Sequence, residues 1–259
     1  MILKDILQKI NELCPFSLQE EWDNSGMQVG DLDADIQKVL VAFDLTEEVL
    51  NEAAEKEVDL ILTHHPFFFK GIRQIDMSAA KGRMIRGLIE YDIALVSCHT
   101  NLDKVGYGVS AVLGQQLGLS ECRPFIAEGE DIGFGVIGQV AEPMPLADFA
   151  DQVKDSLHIP MVRVVGDETQ PVQTVAAMGG AGSDFMAEAK AMGADVYVTA
   201  DLKYHDGQMA AEMGLALIDA GHFETEAATM KPFMEKLANA MPQVEFMPAE
   251  KVSSYWKIL

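Results

Sequence analysis

Asp59-Leu60-Ile61-Leu62-Thr63-His64-His65-Pro66 decides the fold of this chain. A short apolar run reads as a strand, and two adjacent histidines stand at its end. Successive side chains of an extended strand point to opposite faces, so neighbouring histidines there make poor partners for one small ion. They suit two ions in one cleft, or one ligand beside one structural residue. Two other segments have the same form. Ile93-Ala94-Leu95-Val96-Ser97 leads to His99-Thr100-Asn101-Leu102-Asp103, and Leu215-Ala216-Leu217-Ile218-Asp219 leads to Gly221-His222-Phe223-Glu224-Thr225-Glu226. Ligands collect outside the carboxyl ends of strands in α/β sheets. Imidazoles and carboxylates delivered by three strand ends are what a site for divalent transition metals needs.

The spacing within these segments refines the chemistry. His222 and Glu226 are four apart at a helix start, so an imidazole and a carboxylate leave one face about a turn apart. Gly221 before them permits close backbone approach. The bland alternative is a helix-capping histidine beside a solvated glutamate, with Glu224 facing solvent. Asp103, four residues after His99, reads by itself as a turn or cap former. Two divalent ions against the two carboxylates Asp103 and Glu226 leave an excess of positive charge. Such a pair lowers the pKa of a bridging water toward neutrality and clamps a phosphoryl or carbonyl oxygen. A closed structural zinc site would use thiolates instead, and Cys14, Cys98 and Cys122 have no such spacing.

With 259 residues, 49% of them hydrophobic, the chain can bury one large core or two modest ones. A net charge of −22 disfavours a surface that neutralises nucleic-acid phosphates. No apolar run reaches the roughly 18 residues of a spanning helix, and the start lacks the pattern of a signal peptide. Three scattered cysteines imply a reducing cytoplasm. Cys98 beside His99 reads as a small core residue rather than a nucleophile.

Strands and helices alternate. Helices are expected over 2–13, 46–57, 78–90, 109–117, 145–157, 184–192, 203–213 and 222–238. Strands are expected over 39–43, in the run that ends at the paired histidines, and over 93–97, 135–140, 162–165, 172–178, 195–199, 215–219 and 244–247. This is an α/β architecture with mixed, mainly parallel sheets. Two repeats are expected, 1–128 carrying His64, His65 and Asp103, and 129–259 carrying His222 and Glu226. The stretch Glu20–Asp31 reads as irregular, with Trp22 as a lid or stacking residue, and Phe67-Phe68-Phe69 as a wall of the cleft or an interface between subunits. Gly179-Gly180-Ala181-Gly182-Ser183 reads as a tight strand-to-helix turn rather than an anion-binding loop. His158 reads as structural.

Glu21-Trp22-Asp23-Asn24-Ser25-Gly26, Thr63-His64-His65-Pro66, His99-Thr100-Asn101-Leu102-Asp103, Asp201-Leu202-Lys203-Tyr204-His205-Asp206 and Gly221-His222-Phe223-Glu224-Thr225-Glu226 together resemble the Nif-three-like dinuclear metal proteins. That family is also labelled GTP cyclohydrolase 1 type 2 homologs. The resemblance spans nearly the whole chain. It implies two intertwined α/β repeats, in the short form without an inserted domain, and a toroidal homohexamer with metal pairs facing an internal cavity. It also implies His64, His65, Asp103, His222 and Glu226 as ligands of two divalent ions per chain, with His64 and His65 on different ions and a carboxylate bridging. His99 and His205 then support the ligands or face substrate. Zinc, iron, manganese or nickel would suit such ligands. The function this implies is a dinuclear metal-dependent hydrolase of a small anionic, nucleotide-like substrate, with a metal-bridging hydroxide as nucleophile. The other readings are a non-catalytic metal-binding scaffold or regulator engaging a partner protein, and a metal storage or delivery protein.

Overall fold

The computed structural model describes residues 1–129, 131–251 and 254–256. The chain divides into two compact units, Met1–Leu102 with Met230–Ser253 and Asp103–Thr229 with Ser254–Leu259. The chain therefore leaves the first unit and returns to it. These packing units follow different boundaries from the sequence halves 1–128 and 129–259, because packing groups strands by sheet rather than by position along the chain.

The first unit is built on a five-stranded sheet in the order Gly26–Val29, Ala94–Ser97, Leu60–Thr63, Lys38–Ala42, Glu245–Pro248. Its last four strands run parallel, and only Gly26–Val29 is antiparallel. The central strands are apolar on both faces because both are covered. Leu40, Ala42, Ile61 and Leu95 pack with Val49, Leu50, Ala53 and Leu88 in one cluster. Alternation turns Val39, Val41, Leu60 and Leu62 to the opposite face, where they too are buried. Helix Met230–Ala240 packs there against Lys38–Ala42 and Glu245–Pro248. Helix Leu3–Leu13 buries Leu3, Ile6 and Ile10, as its spacing predicts. Helix Glu47–Glu55 starts at Thr46, whose hydroxyl accepts the Val49 N–H at 3.1 Å.

The second unit holds a six-stranded mixed sheet, ordered Ser120–Arg123, Val136–Pro145, Pro171–Ala181, Val196–Ala200, Ala216–Asp219, Arg163–Val165, and a small two-stranded one. Its central strands Pro171–Ala181, Val196–Ala200 and Ala216–Asp219 are parallel, and antiparallel strands flank them. Val175, Ala177, Val196, Val198 and Ile218 join Phe149 and Val153 in one core. The intervening Ala176, Met178, Tyr197 and Leu217 join Phe125, Met186 and Ala210 in another. A period of two thus sorts one sheet into two cores. His158 ends helix Leu146–Leu157 in the left-handed conformation, a structural role.

Three local expectations differ from the structure. The helix expected over 222–238 is two helices, His222–Glu226 and Met230–Ala240, joined by a 3-10 turn at Ala227–Thr229. Pro232 explains the break. Inside a continuous helix it would delete a hydrogen bond and clash with the preceding turn, whereas the first turn of a new helix tolerates it. The glycines at 179 and 180 extend the strand Pro171–Ala181, and the following helix, Met186–Ala191, starts later than expected. The polar stretch after Glu20 contains the edge strand Gly26–Val29, too short and polar to show alternation.

Asp23 pins that polar stretch. Its carboxylate is fully buried and accepts from His99 Nδ1 at 2.8 Å, Thr100 N at 3.1 Å, Thr100 Oγ1 at 2.5 Å and Asn24 N at 2.7 Å. Burial pushes its pKa up, but the hydrogen bonds from His99 and Thr100 and from the Asn24 N–H together hold it well below the usual carboxylate range. A depressed folded pKa contributes stability that is present above the ordinary value of 3.8 and is lost as pH falls below it. Asp23→Asn is therefore expected to destabilise the protein at pH 7, with the difference from wild type shrinking steadily below about pH 4 in urea melts. Thr46→Ala should cost about 1 kcal/mol in the same measurement, through loss of the helix cap.

Candidate metal centre

In the first unit the histidines hang from the ends of neighbouring strands. Thr63 pairs with Ser97 in register, and their hydroxyls meet at 2.8 Å. Both hydroxyls also reach the His65 carbonyl, at 2.9 and 3.2 Å, so the chain bends back across the strand ends. The Phe43 carbonyl accepts both the His64 and His65 N–H groups, at 3.1 and 3.3 Å. The strand has already ended at Thr63, so the rule of alternating faces does not reach the histidines. Their rings lie 4.9 Å apart, on one side rather than on opposite faces. His99, two residues past strand Ala94–Ser97, brings a third ring to 5.2 Å from His64 and 5.4 Å from His65. One ligand atom from each of His64, His65 and His99 lies within 4.8 Å of the others, a group able to hold a metal ion.

Each ring is held by Nδ1. His64 Nδ1 donates to the Cys98 carbonyl at 2.9 Å, His65 Nδ1 to Asp44 at 2.8 Å and His99 Nδ1 to Asp23 at 2.8 Å. A carbonyl or carboxylate can only accept, so the proton sits on Nδ1 and Nε2 is the nitrogen through which each ring would bind a metal. Phe43 stacks on His64 at 5.5 Å and meets His65 edge-on at 4.7 Å. Cys98 is buried, consistent with a core residue whose carbonyl, not its thiol, serves the site.

In the second unit, His222 and Glu226 share helix His222–Glu226, with Nε2 and Oε2 3.1 Å apart. His222 Nδ1 donates to Asp201 at 2.8 Å, so carboxylates face both ring nitrogens. An imidazole nitrogen and a carboxylate oxygen side by side are the donor chemistry of a metal site. Glu226 is buried, about 5% exposed. Backbone glycines make room for it. Gly180 has φ of +65°, and a Cβ there would strike the Glu226 carboxylate. Gly180 N–H donates to Thr225 Oγ1 at 3.0 Å, and its carbonyl accepts from Thr199 Oγ1 at 3.0 Å, locking the strand end against the helix. Gly221, at φ +87°, likewise leaves room for Glu224. Asp103 lies in the short helix Thr100–Lys104 rather than in an open turn.

Several partners carried no assigned role in the sequence. Asp44 and Asp201 follow the ends of strands Lys38–Ala42 and Val196–Ala200, so the strand-end rule that singled out the histidines reaches them too. Gly180 gave no such signal, because its role depends on a helix more than forty residues away in sequence. His205 is exposed, its ring contacting Tyr204 and Gln208, and it joins no potential metal group among the described residues. Trp22 and Phe69 stand beside His99, at 6.0 Å each, and 5.6 Å from one another. Asn24 and Gln28 clip the Phe68 backbone, by Asn24 Nδ2 to its carbonyl at 2.6 Å and its N–H to Gln28 Oε1 at 3.1 Å. The Phe67–Phe69 loop is thereby fixed as a wall beside the histidines.

Comparison with known proteins places this geometry in a family. The model of Duf34/NIF3 (NGG1p interacting factor 3) matches residues 1–253. The chain is 35% identical over 265 residues to a "GTP cyclohydrolase 1 type 2 homolog" of Clostridium perfringens, covering 100% of both chains. It is 36% identical to one of Streptococcus pneumoniae, over 94% of this chain and 91% of that one. Among solved structures, a Bacillus cereus protein related to NIF3 superimposes with a TM-score of 0.94 at 25% identity, over 100% of this chain and 99% of the other. Staphylococcus aureus protein SA1388 does so with a TM-score of 0.93 at 30% identity, again over 100% and 99%. Matched from end to end in sequence and in fold, the chain belongs to the Duf34/NIF3 family.

Proposed function

We propose that this protein is a metal-dependent hydrolase of a small anionic, nucleotide-like substrate, using two divalent ions per chain. His64 and His65 of the first unit and Asp103, His222 and Glu226 of the second are the ligands that this reading assigns. The observation that carries it is the common state of the four imidazoles. His64, His65, His99 and His222 each give Nδ1–H to a fixed oxygen, the arrangement that metal-binding histidines use to set their tautomer. The relatives' name, "GTP cyclohydrolase 1 type 2 homolog", supports a hydrolytic reaction on a nucleotide.

When bound, two such ions supply Lewis-acid activation of water and a clamp for an anionic oxygen. The chain's own residues do the rest. Asp44 and Asp201 hold the His65 and His222 rings in orientation. Asp23 holds His99 in the same way, and Trp22 and Phe69 give it an aromatic border suited to a planar substrate group. The net charge of −22 would repel an anion, so in this reading local cationic charge must come from the ions themselves. We include a homohexamer in the same proposal. Light scattering should then give about six times the 28.3 kDa chain mass.

Plasma mass spectrometry of the purified protein is expected to find about two transition-metal ions per chain. His64→Ala and Glu226→Ala should each lower that content, and Asp103→Ala should abolish turnover in a screen of nucleoside phosphates. A metal-free wild type after reconstitution would defeat the reading. Gly180→Ala should mimic Glu226→Ala in metal content, since the added Cβ meets that carboxylate. It should also cost about 1–2 kcal/mol in a denaturant melt, because an L-residue is forced into the left-handed region.

A further inference from the structure

We infer that the cavity between strand Arg163–Val165 and helix Tyr204–Met213 binds the phosphate group of a nucleotide-sized ligand, with Arg163 and Lys203 as its anchors. This rests on the anionic, nucleotide-like substrate of the proposed function. It goes beyond it by placing the charged end of that substrate on protein cations, in a cavity that contains none of the assigned metal ligands.

Size and charge are the first support. The cavity holds about 420 Å³, within the range of small-ligand pockets. Val165, Leu202 and Leu217 give it an apolar wall, and Gly207 presents no side chain to it. Arg163 and Lys203 bring two cations. Among the described residues Asp219 is the one carboxylate in the lining, and it is already paired with Arg163. The balance is positive, in a chain whose net charge is −22. An adjoining cavity of about 730 Å³ shares Arg163, Leu202 and Asp219 and extends to His222. Asp201 and Glu224 also line that one, so charge directs an anionic group to the smaller cavity. An organic body carrying hydrogen-bond donors suits the larger, against Met161 and Val162.

The second support is the way Arg163 is held. Its Nη2 donates to the Leu202 carbonyl at 2.8 Å and to the Asp219 carboxylate. The Asp219 side chain is only 10% exposed and accepts from Leu202 N and Gly221 N, each at 3.3 Å. The guanidinium is therefore oriented before any ligand arrives, and little ordering entropy remains to be lost on binding. Its Nε and Nη1 donors have no hydrogen-bond partner among the described residues, and the side chain stays 63% exposed. Parallel N–H groups of this kind are what a phosphate receives in bidentate fashion.

The third support comes from the motif Asp201-Leu202-Lys203-Tyr204-His205-Asp206. The metal centre uses its Asp201, whereas Leu202, Lys203 and Tyr204 line this cavity. The Lys203 backbone N–H is taken by Asp206 at 2.7 Å, but its ammonium has no ion pair among the described residues. Tyr204 is 83% exposed, a large ring at the same cavity with its faces open to a ligand.

The test is isothermal titration calorimetry on the whole chain stripped of metal, with guanosine monophosphate and guanosine as probes. With the ions removed, any advantage of the phosphate comes from protein groups alone. The monophosphate should bind at least about tenfold more tightly than the nucleoside, as charge-assisted hydrogen bonds predict. Arg163→Gln and Lys203→Gln should each remove most of that advantage and leave guanosine affinity unchanged. Arg163→Lys, which keeps a cation beside Asp219 but loses the fork, should retain only part of it. Lys9→Gln, at an exposed lysine of the first unit, should change nothing. Circular dichroism checks that each variant is folded. No binding of either probe, equal affinity for both, or an advantage that survives both glutamine variants would each overturn the inference. Any of these results, with about two ions per chain in the untreated protein, would sink this inference alone. A protein that takes up no metal would sink the proposed function and leave this measurement, made without metal, standing.

Discussion

The pairing of Thr63 with Ser97 is the constraint on which the histidine cluster depends. These two residues end adjacent parallel strands in register, and their hydroxyls hold one another and the His65 carbonyl. The Cys98 N–H continues the ladder to Thr63, and the Cys98 carbonyl then receives His64 Nδ1. One strand end therefore orients the ring delivered by the other. A register slip of one residue would turn every side chain to the opposite face. The apolar residues Leu60–Leu62 and Ala94–Val96 are buried on both faces, and the fit of each face against its own helices resists that slip.

Acidic residues stand behind the imidazoles and orient them. Asp23, Asp44 and Asp201 accept protons' hydrogen bonds from the far side of the rings, where they fix the tautomer. Much of the strongly acidic composition is solvated surface, but these three positions give negative charge a structural use. Asp23 does so while fully buried, which is tolerable because it receives hydrogen bonds from backbone and side-chain donors together.

The second unit reaches a similar end by other means. Its imidazole and carboxylate lie on one short helix, and the strand end beside them is glycine. Gly180 lets backbone approach where a side chain would collide with Glu226, and Thr199 and Thr225 hold that backbone in place. A strand end that supplies space shapes this part of the structure as much as one that supplies a side chain.

Much of this was legible in the sequence. Apolar runs of strand length alternating with helical spacing determined the α/β class, because periodicity records which faces are buried. The motifs after Thr63, Ser97 and Asp219 marked the strand ends where functional groups gather, and their order along the chain indicated the family. The tertiary structure decided what those motifs do. It alone could show that the chain bends after Thr63 and brings His64 and His65 together, since that bend depends on Ser97 and Phe43 from other strands. It decided that the final sequence strand, Glu245–Pro248, joins the first sheet beside Lys38–Ala42, and that Gly180 makes room for Glu226. Local sequence fixes the period of an element, but the partner across a sheet or against a helix is set by long-range packing, which no window of sequence contains.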